Sequence, residues 1–139
     1  MNQVTNILTK LFVTLIVILL SSCNGDRDPC LGCGEDISNA NIEISELTAT
    51  DSELKVEGTV SNTGTSTITQ PWYVEGKFYA DNTHTTVIGF ERDRQTIPLS
   101  KGETISWELS IISSDLTISG KEVSDYPNFS VSSLRVYKE

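Results

Sequence analysis

Three cysteines and a single histidine are the side chains with the widest chemical reach in this 139-residue chain, and their spacing decides what they can do. Cys30 and Cys33 stand as Cys-Leu-Gly-Cys. Such a pair can cycle between dithiol and disulfide when its attacking thiolate sits at the N-terminus of a helix. Here it lies in NGDRDPCLGCGEDIS, residues 24–38, a Gly-rich acidic run without apolar periodicity, so a local disulfide between Cys30 and Cys33 is expected and redox catalysis is the alternative. Zinc takes about four ligands, and the other good donor, His84, is far away in sequence, which leaves metal binding through the cysteines as a second alternative. Asp26, Asp28, Glu35 and Asp36 read as a solvated spacer rather than a calcium loop.

The remaining constellations are sparse. His84 follows Asp81-Asn82-Thr83 in a turn-like stretch, and no serine is framed as Gly-x-Ser-x-Gly. Glu91 and Asp93 could pair as acid and base, but they alternate with Arg92 and Arg94, the pattern of a charged, exposed strand edge. No glycine-rich phosphate loop is present. No catalytic residue, metal or cofactor is expected, and the chain reads as a non-enzyme. With 19 Asp and Glu against 10 Lys and Arg, a net charge of -9, nucleic acid is excluded as a partner, because its capture depends on neutralising phosphates.

The elements that must position these residues fall into three parts: 1–22, 23–38 and 39–139. In the first, Leu11–Leu20 (LFVTLIVILL) is apolar except for Thr14, with Lys10 before it. Ten residues span about 15 Å as a helix, half of a bilayer's roughly 30 Å core, so the run is the length of a signal-peptide core and not of a transmembrane helix. Leu20-Ser21-Ser22-Cys23 resembles the lipobox of bacterial lipoproteins. That resemblance implies cleavage before Cys23, lipidation of Cys23 and attachment to a membrane through the lipid. Asn24 in place of an aspartate after the cysteine points, by the same resemblance, to the outer membrane and an extracytoplasmic address. All 19 acidic residues follow Cys23, leaving 9 basic ones and a charge of about −10 once Lys10 departs with the leader. Anionic headgroups would repel such a chain, so the lipid must do the anchoring. Residues 23–38 form a flexible tether.

From Asn39 the apolar spacing is mostly two. Ile42 and Ile44, then Leu54, Val56, Gly58 and Val60, alternate with polar residues. Asn62-Thr63-Gly64 reads as a turn with glycine at a positive φ. The longest strand is expected from Trp72 to Ala80, with Trp72, Val74, Gly76 and Phe78 on one face and Tyr73, Glu75, Lys77 and Tyr79 on the other. TVIGFE returns as a shorter strand, Pro98 and Gly102 frame a turn, and Ile105, Trp107, Leu109 and Ile111 alternate strictly. A further short strand is expected through Leu116 and Ile118. Near the end the apolar parity shifts from Phe129 and Val131 to Leu134 and Val136, the mark of a β-bulge. About seven strands, regular turn signals and no helical pattern over some 100 residues specify an all-β sandwich.

VEGTVSNTGTSTI, VEGKFYAD, VIGFE and IPLSKGETISWELSI together resemble the immunoglobulin-like domains of bacterial surface proteins, including the FxLYD and CARDB-type groups. The shared positions are Val60, Asn62 and Gly64; Phe78, Tyr79 and Asp81; and Leu99, Gly102, Glu103 and Thr104. Phe78-Tyr79-Ala80-Asp81 departs from the F-x-L-Y-D order and leaves the choice between the groups open. The resemblance implies an immunoglobulin-like β-sandwich acting as a non-catalytic binding or assembly module at the cell envelope, or as a structural spacer there. Trp72 and Trp107 fall on the apolar parity and are expected in the core. Tyr73, Lys77 and Tyr79 fall on the opposite parity, where they either form an exposed face for a protein or carbohydrate partner or cover the sheet as cross-strand pairs.

Overall fold

In the computed structural model, residues 34–139 are described. Cys23, Cys30 and Cys33, and with them the expected lipidation site, disulfide and leader, lie outside the described residues. The described part, Gly34–Glu139, is a compact unit of its own. It is an all-β sandwich of two antiparallel sheets. Its strands are β1 (Glu35–Asp36), β2 (Ala40–Ala49), β3 (Leu54–Asn62), β4 (Trp72–Tyr79), β5 (Val87–Gln95), β6 (Thr104–Ile111) and β7 (Ser130–Lys138). One sheet runs β1-β7-β4-β5 and the other β2-β3-β6. The crossings from β3 to β4, from β5 to β6 and from β6 to β7 give A-B-E in the smaller sheet and C′-C-F in the larger, an immunoglobulin-type order in which β1 occupies the place beside F.

The period-two apolar pattern becomes the core directly. From the smaller sheet Leu54, Val56, Val60, Leu109 and Ile111 point inward; from the larger come Trp72, Val74, Phe78, Ile88 and Val136. Burying each such side chain contributes about 1.5–3 kcal/mol. Phe78 stacks on Phe129 at 5.9 Å between ring centroids. Both tryptophans are buried as expected, Trp72 donating its Nε1–H to the Ile97 carbonyl at 3.0 Å.

The parity shift near the C-terminus is a bulge: Glu75 faces Arg135 and Lys77 faces Ser132, so β7 carries one extra residue, with Ser133 at φ 54°. Asn62 is more than the end of a turn. It is 1% exposed, its Nδ2 donates to the carbonyls of Ser66 and Leu99 at 2.8 and 2.9 Å, and its Oδ1 accepts from Gly64 N at 2.9 Å. It therefore holds the loop leaving β3 to the segment that enters β6. Gly64 is required by space and not by a positive φ, since a Cβ there would lie 1.9 Å from Asn39 Nδ2. Gly102 does adopt a positive φ, 74°.

Four further expectations are corrected. The domain begins before Asn39, because residues 35–36 of the expected tether pair with Lys138 and Tyr137 as β1. The TVIGFE strand is not the shorter partner: it continues through the charged residues to Gln95, giving nine residues against eight in β4. The longest strand is β2, with ten. The expected strand through Leu116 and Ile118 is replaced by two 3₁₀ turns, Ser113–Asp115 and Val123–Asp125, because Asp115 and Asp125 accept hydrogen bonds from the backbone N–H groups of Ile112 and Glu122.

Candidate functional site

β4 is central in its sheet and buried on both faces, and its outer face is where the expected binding residues lie. The register aligns Tyr73 with Arg94 and Glu75 with Arg92 on β5, and Tyr73 with Tyr137 and Glu75 with Arg135 on β7. These neighbours close over one another. The Tyr73 and Tyr137 rings stack at 5.2 Å with 24° between planes. Arg92 lies 5.3 Å over Tyr73 and Arg135 4.1 Å over Tyr137, so each ring of the pair carries a guanidinium group.

The expectation of an exposed tyrosine face is therefore corrected in favour of cross-strand pairing. Tyr73 keeps 7% of its exposure, Tyr137 1% and Tyr79 9%, and Tyr79 packs at 4.9 Å against His84. Lys77 remains half-buried on the same face. The accessible chemistry of the face belongs to cations standing over and beside the aromatic pair.

The electrostatics explain why the layer holds. Glu75 is 4% exposed and accepts from Arg135 Nε at 3.1 Å, while Arg135 also donates to Asp36 of β1 at 3.1 Å. Burial alone would lower the Arg135 pKa, but its hydrogen bond and attraction to Glu75, with those to Asp36, outweigh it and leave the guanidinium firmly charged. Arg92 reaches the Tyr137 hydroxyl at 3.5 Å and pairs with Glu139, and both contacts raise its pKa. Burial pushes the Tyr137 hydroxyl up, so it stays protonated. β1 matters beyond its two residues: a Cβ on Gly34 would lie 2.5 Å from Tyr137 Cδ2, so the backbone at Gly34 is pressed against the ring and Asp36 sits on Arg135.

Lys77 and Arg94, on this same face, have no ion pair among the described residues. The outer face of the other sheet has the opposite sign. Glu46, Glu57 and Glu108 form one cross-strand row, with Glu43 two residues before the β2 bulge, and Lys55 bridges Glu57 at 3.2 Å and Glu108 at 3.6 Å. Those carboxylates raise the Lys55 pKa, the Glu57 hydrogen bond most. The sandwich thus presents cations on one sheet and carboxylates on the other.

The other sequence candidates disperse. His84 occupies the β4–β5 turn at φ 55°, where Asp81 Oδ1 accepts from Thr83 N at 2.8 Å and Thr83 Oγ1 at 2.6 Å. Glu91 and Asp93 lie on the edge strand β5, as the alternating charges predicted, and Asp93 is in register with the inward-facing Val74. Among the described residues no group of three His, Cys, Asp or Glu could hold a metal ion, and no helix is long and apolar enough to cross a membrane. Tyr137 and Arg135 are not singled out in the sequence, where their signal is only the parity change in β7 that moves them to the outer face, and Asp36 reads there as part of a solvated spacer, whereas it pairs with Arg135.

No family model and no curated protein matches the chain. Among solved structures it is similar to a β-glucosidase from Kluyveromyces marxianus in complex with glucose, 21% identical with a TM-score of 0.41, over 71% of this chain and 14% of that one. A selenomethionine-labelled form of the enzyme matches at 23% identity and a TM-score of 0.38, over 55% of this chain and 9% of that chain.

Proposed function

We propose that the protein is a lipid-anchored, extracytoplasmic lipoprotein of the outer membrane whose immunoglobulin-like domain, akin to the FxLYD and CARDB-type groups, is a non-catalytic binding or assembly module at the cell envelope. Cys23 carries the lipid, and residues 24–33 join it to the domain that starts at Gly34.

The observation that carries the binding reading is the cationic face of the larger sheet in a chain of net charge -9. Lys77 and Arg94 stand there without a carboxylate partner among the described residues, on a layer made rigid by the Arg92–Tyr73–Tyr137–Arg135 stack. Rigid aromatic support lowers the cost of ordering the flanking cations, and two basic groups on a firm sheet suit an acidic protein surface or an acidic carbohydrate.

The test has two parts. Intact mass of the membrane-fraction protein should show a diacylglyceryl-modified chain beginning at Cys23, and Cys23→Ala should release the protein from the membrane. Lys77→Glu combined with Arg94→Glu should leave fractionation unchanged and remove the envelope partner that crosslinks to the unaltered protein. An unmodified chain starting elsewhere sinks the anchor, and full retention of partners by the double variant sinks the face.

A further inference from the structure

We infer that the free edge of β2 docks an extended segment of a partner protein that alternates apolar with basic residues. The site is distinct from the cationic face and does not depend on the lipid.

Among the described residues, β2 is the terminal strand of its sheet, with β3 on one side only. Its inward-facing Ile44 and Leu47 are 40% and 43% exposed, although their register partners reach the buried core: Ile44 leads through Gly58 to Trp107, and Leu47 through Val56 to Leu109. These rows run out of cover because the facing sheet ends in the two-residue β1, which pairs only with Tyr137 and Lys138. Among the described residues, one side of the sandwich is left short of a strand.

Trp107 provides a second, independent observation. Its ring lies across Gly58, where a Cβ would be 2.5 Å from Cζ2, and the side chain therefore extends toward β2. Its Nε1 is buried with no hydrogen-bond partner among the described residues, while the residue as a whole is 3% exposed. A buried donor without an acceptor is costly, so the row that ends at Ile44 is incompletely satisfied as well as incompletely covered.

Among the described residues, the edge strands β2 and β5 differ in the way that matters for pairing. β5 is guarded by Glu91, Arg92, Asp93 and Arg94, with Asp93 directed inward, and such charges keep edge strands from pairing with other chains. β2 (ANIEISELTA) has no Lys, Arg or Pro. Its extra residue at Ser45 sits between the runs Ala40–Ile44 and Glu46–Ala49, so a segment that spans both steps past one residue.

Charge selects the occupant. Side chains of an added strand that point outward would lie beside Glu43 and Glu46, and behind Glu46 stand Glu57 and Glu108 in the same row. Like charges opposite one another destabilise a sheet, so lysines or arginines at those positions relieve the row while apolar residues between them cover Ile44 and Leu47. A second copy is the wrong occupant: antiparallel pairing of two β2 strands about Ile44 and Ser45 would bring Glu43 against Glu46.

The probe is a blocked seven-residue peptide alternating lysine and valine, with a glutamate–valine peptide as its counterpart, titrated at low salt into ¹⁵N-labelled Gly34–Glu139. Trp107 and Trp72 report separately, because the Trp72 Nε1–H is already bonded to Ile97 O. The lysine peptide should shift the Trp107 indole resonance and leave that of Trp72 in place. Glu43→Lys with Glu46→Lys should weaken it about tenfold and favour the glutamate peptide, since two exposed ion pairs contribute up to about 1 kcal/mol each. Ile44→Lys with Leu47→Lys should abolish the shift, and an unchanged remaining spectrum shows that the variant is folded. The proposal is overturned if neither peptide moves Trp107, if both bind alike, if the shifts map to Arg92 and Arg94, or if sedimentation shows the free domain pairing with itself through β2.

Discussion

Tyr73 and Tyr137 stack ring on ring at 5.2 Å across the β4–β7 register, Tyr73 capped by Arg92 of β5 and Tyr137 by Arg135 of its own strand. The pair ties the centre of the larger sheet to its last full strand on the side facing away from the core. Tyr137→Ala should cost about 3–5 kcal/mol, the range for a large aromatic removed from a packed site. A double-mutant cycle with Tyr73→Ala should return a coupling of about 0.5–1.5 kcal/mol beyond the separate losses. Urea unfolding of the four proteins measures it, and strict additivity would mean that the stack is incidental to the burial.

Asn62 should be the costliest polar residue to remove. It serves Ser66 O, Leu99 O and Gly64 N, and it accepts from Asn39 Nδ2 at 3.2 Å. Asn62→Ala leaves these groups to find new partners at a buried site, and a loss of about 2–4 kcal/mol is expected. Equilibrium urea midpoints should fall while the m value holds. Thr63→Ala, which removes one exposed hydroxyl bond to Asn39 O, is the control and should cost less than about 1 kcal/mol.

The strands and the core were largely legible because alternation is local: Val56, Val60, Leu109 and Ile111 declare their face by their neighbours. The β7 bulge was legible for the same reason, as a change of parity between Val131 and Leu134. What could not be read depends on distant partners. Nothing in Glu35-Asp36 signals that it pairs with Tyr137 and Lys138, about a hundred positions on. The parity of Tyr73 and Tyr79 correctly places them off the core side, yet parity says nothing about Arg92, Arg135 or His84 covering them. Strand β5 extends to Gln95 because it pairs with β4, through the run Glu-Arg-Asp-Arg, where the apolar pattern has ended although the alternating charges suit a strand edge. Leu116 and Ile118 imitate a strand, but Asp115 and Asp125 satisfy the backbone locally and fold the segment into turns.

Two aspartates should respond to pH in opposite directions. Burial raises the Asp93 pKa above its ordinary 3.8, with the Gln95 hydrogen bond opposing. A raised folded-state pKa gives stability that is complete below the unfolded value and is lost as pH rises through the folded one. Asp93→Asn should therefore raise the Tm at pH 7 and make no difference well below pH 3.8. It should also increase aggregation, because an inward charge on edge strand β5 is lost. In Asp81 the Thr83 side-chain and backbone hydrogen bonds lower the pKa. Its contribution is present above 3.8 and is lost as pH falls through the folded value, so Asp81→Asn should lower the Tm at pH 7 and converge with the parent in acid. Thermal scans from pH 2 to 7 separate the two; parallel curves for both variants would refute the assignment.

The two core tryptophans should not be equivalent. Trp72 is fully buried and its indole donates to Ile97 O at 3.0 Å, so Trp72→Phe loses volume, a hydrogen bond and the partner of a carbonyl. A cost of about 2–4 kcal/mol is expected. Trp107→Phe loses similar volume but also removes a buried donor that has no acceptor among the described residues. Relief of that donor, worth roughly 1–3 kcal/mol, offsets the packing loss, and the net change should stay within about 1 kcal/mol. Phenylalanine still fits over Gly58, whose missing Cβ makes the room for the ring. Chemical denaturation of both variants decides the matter: equal losses would mean that the Trp107 indole finds a partner in solution, and with it the β2 edge would lose its unsatisfied donor.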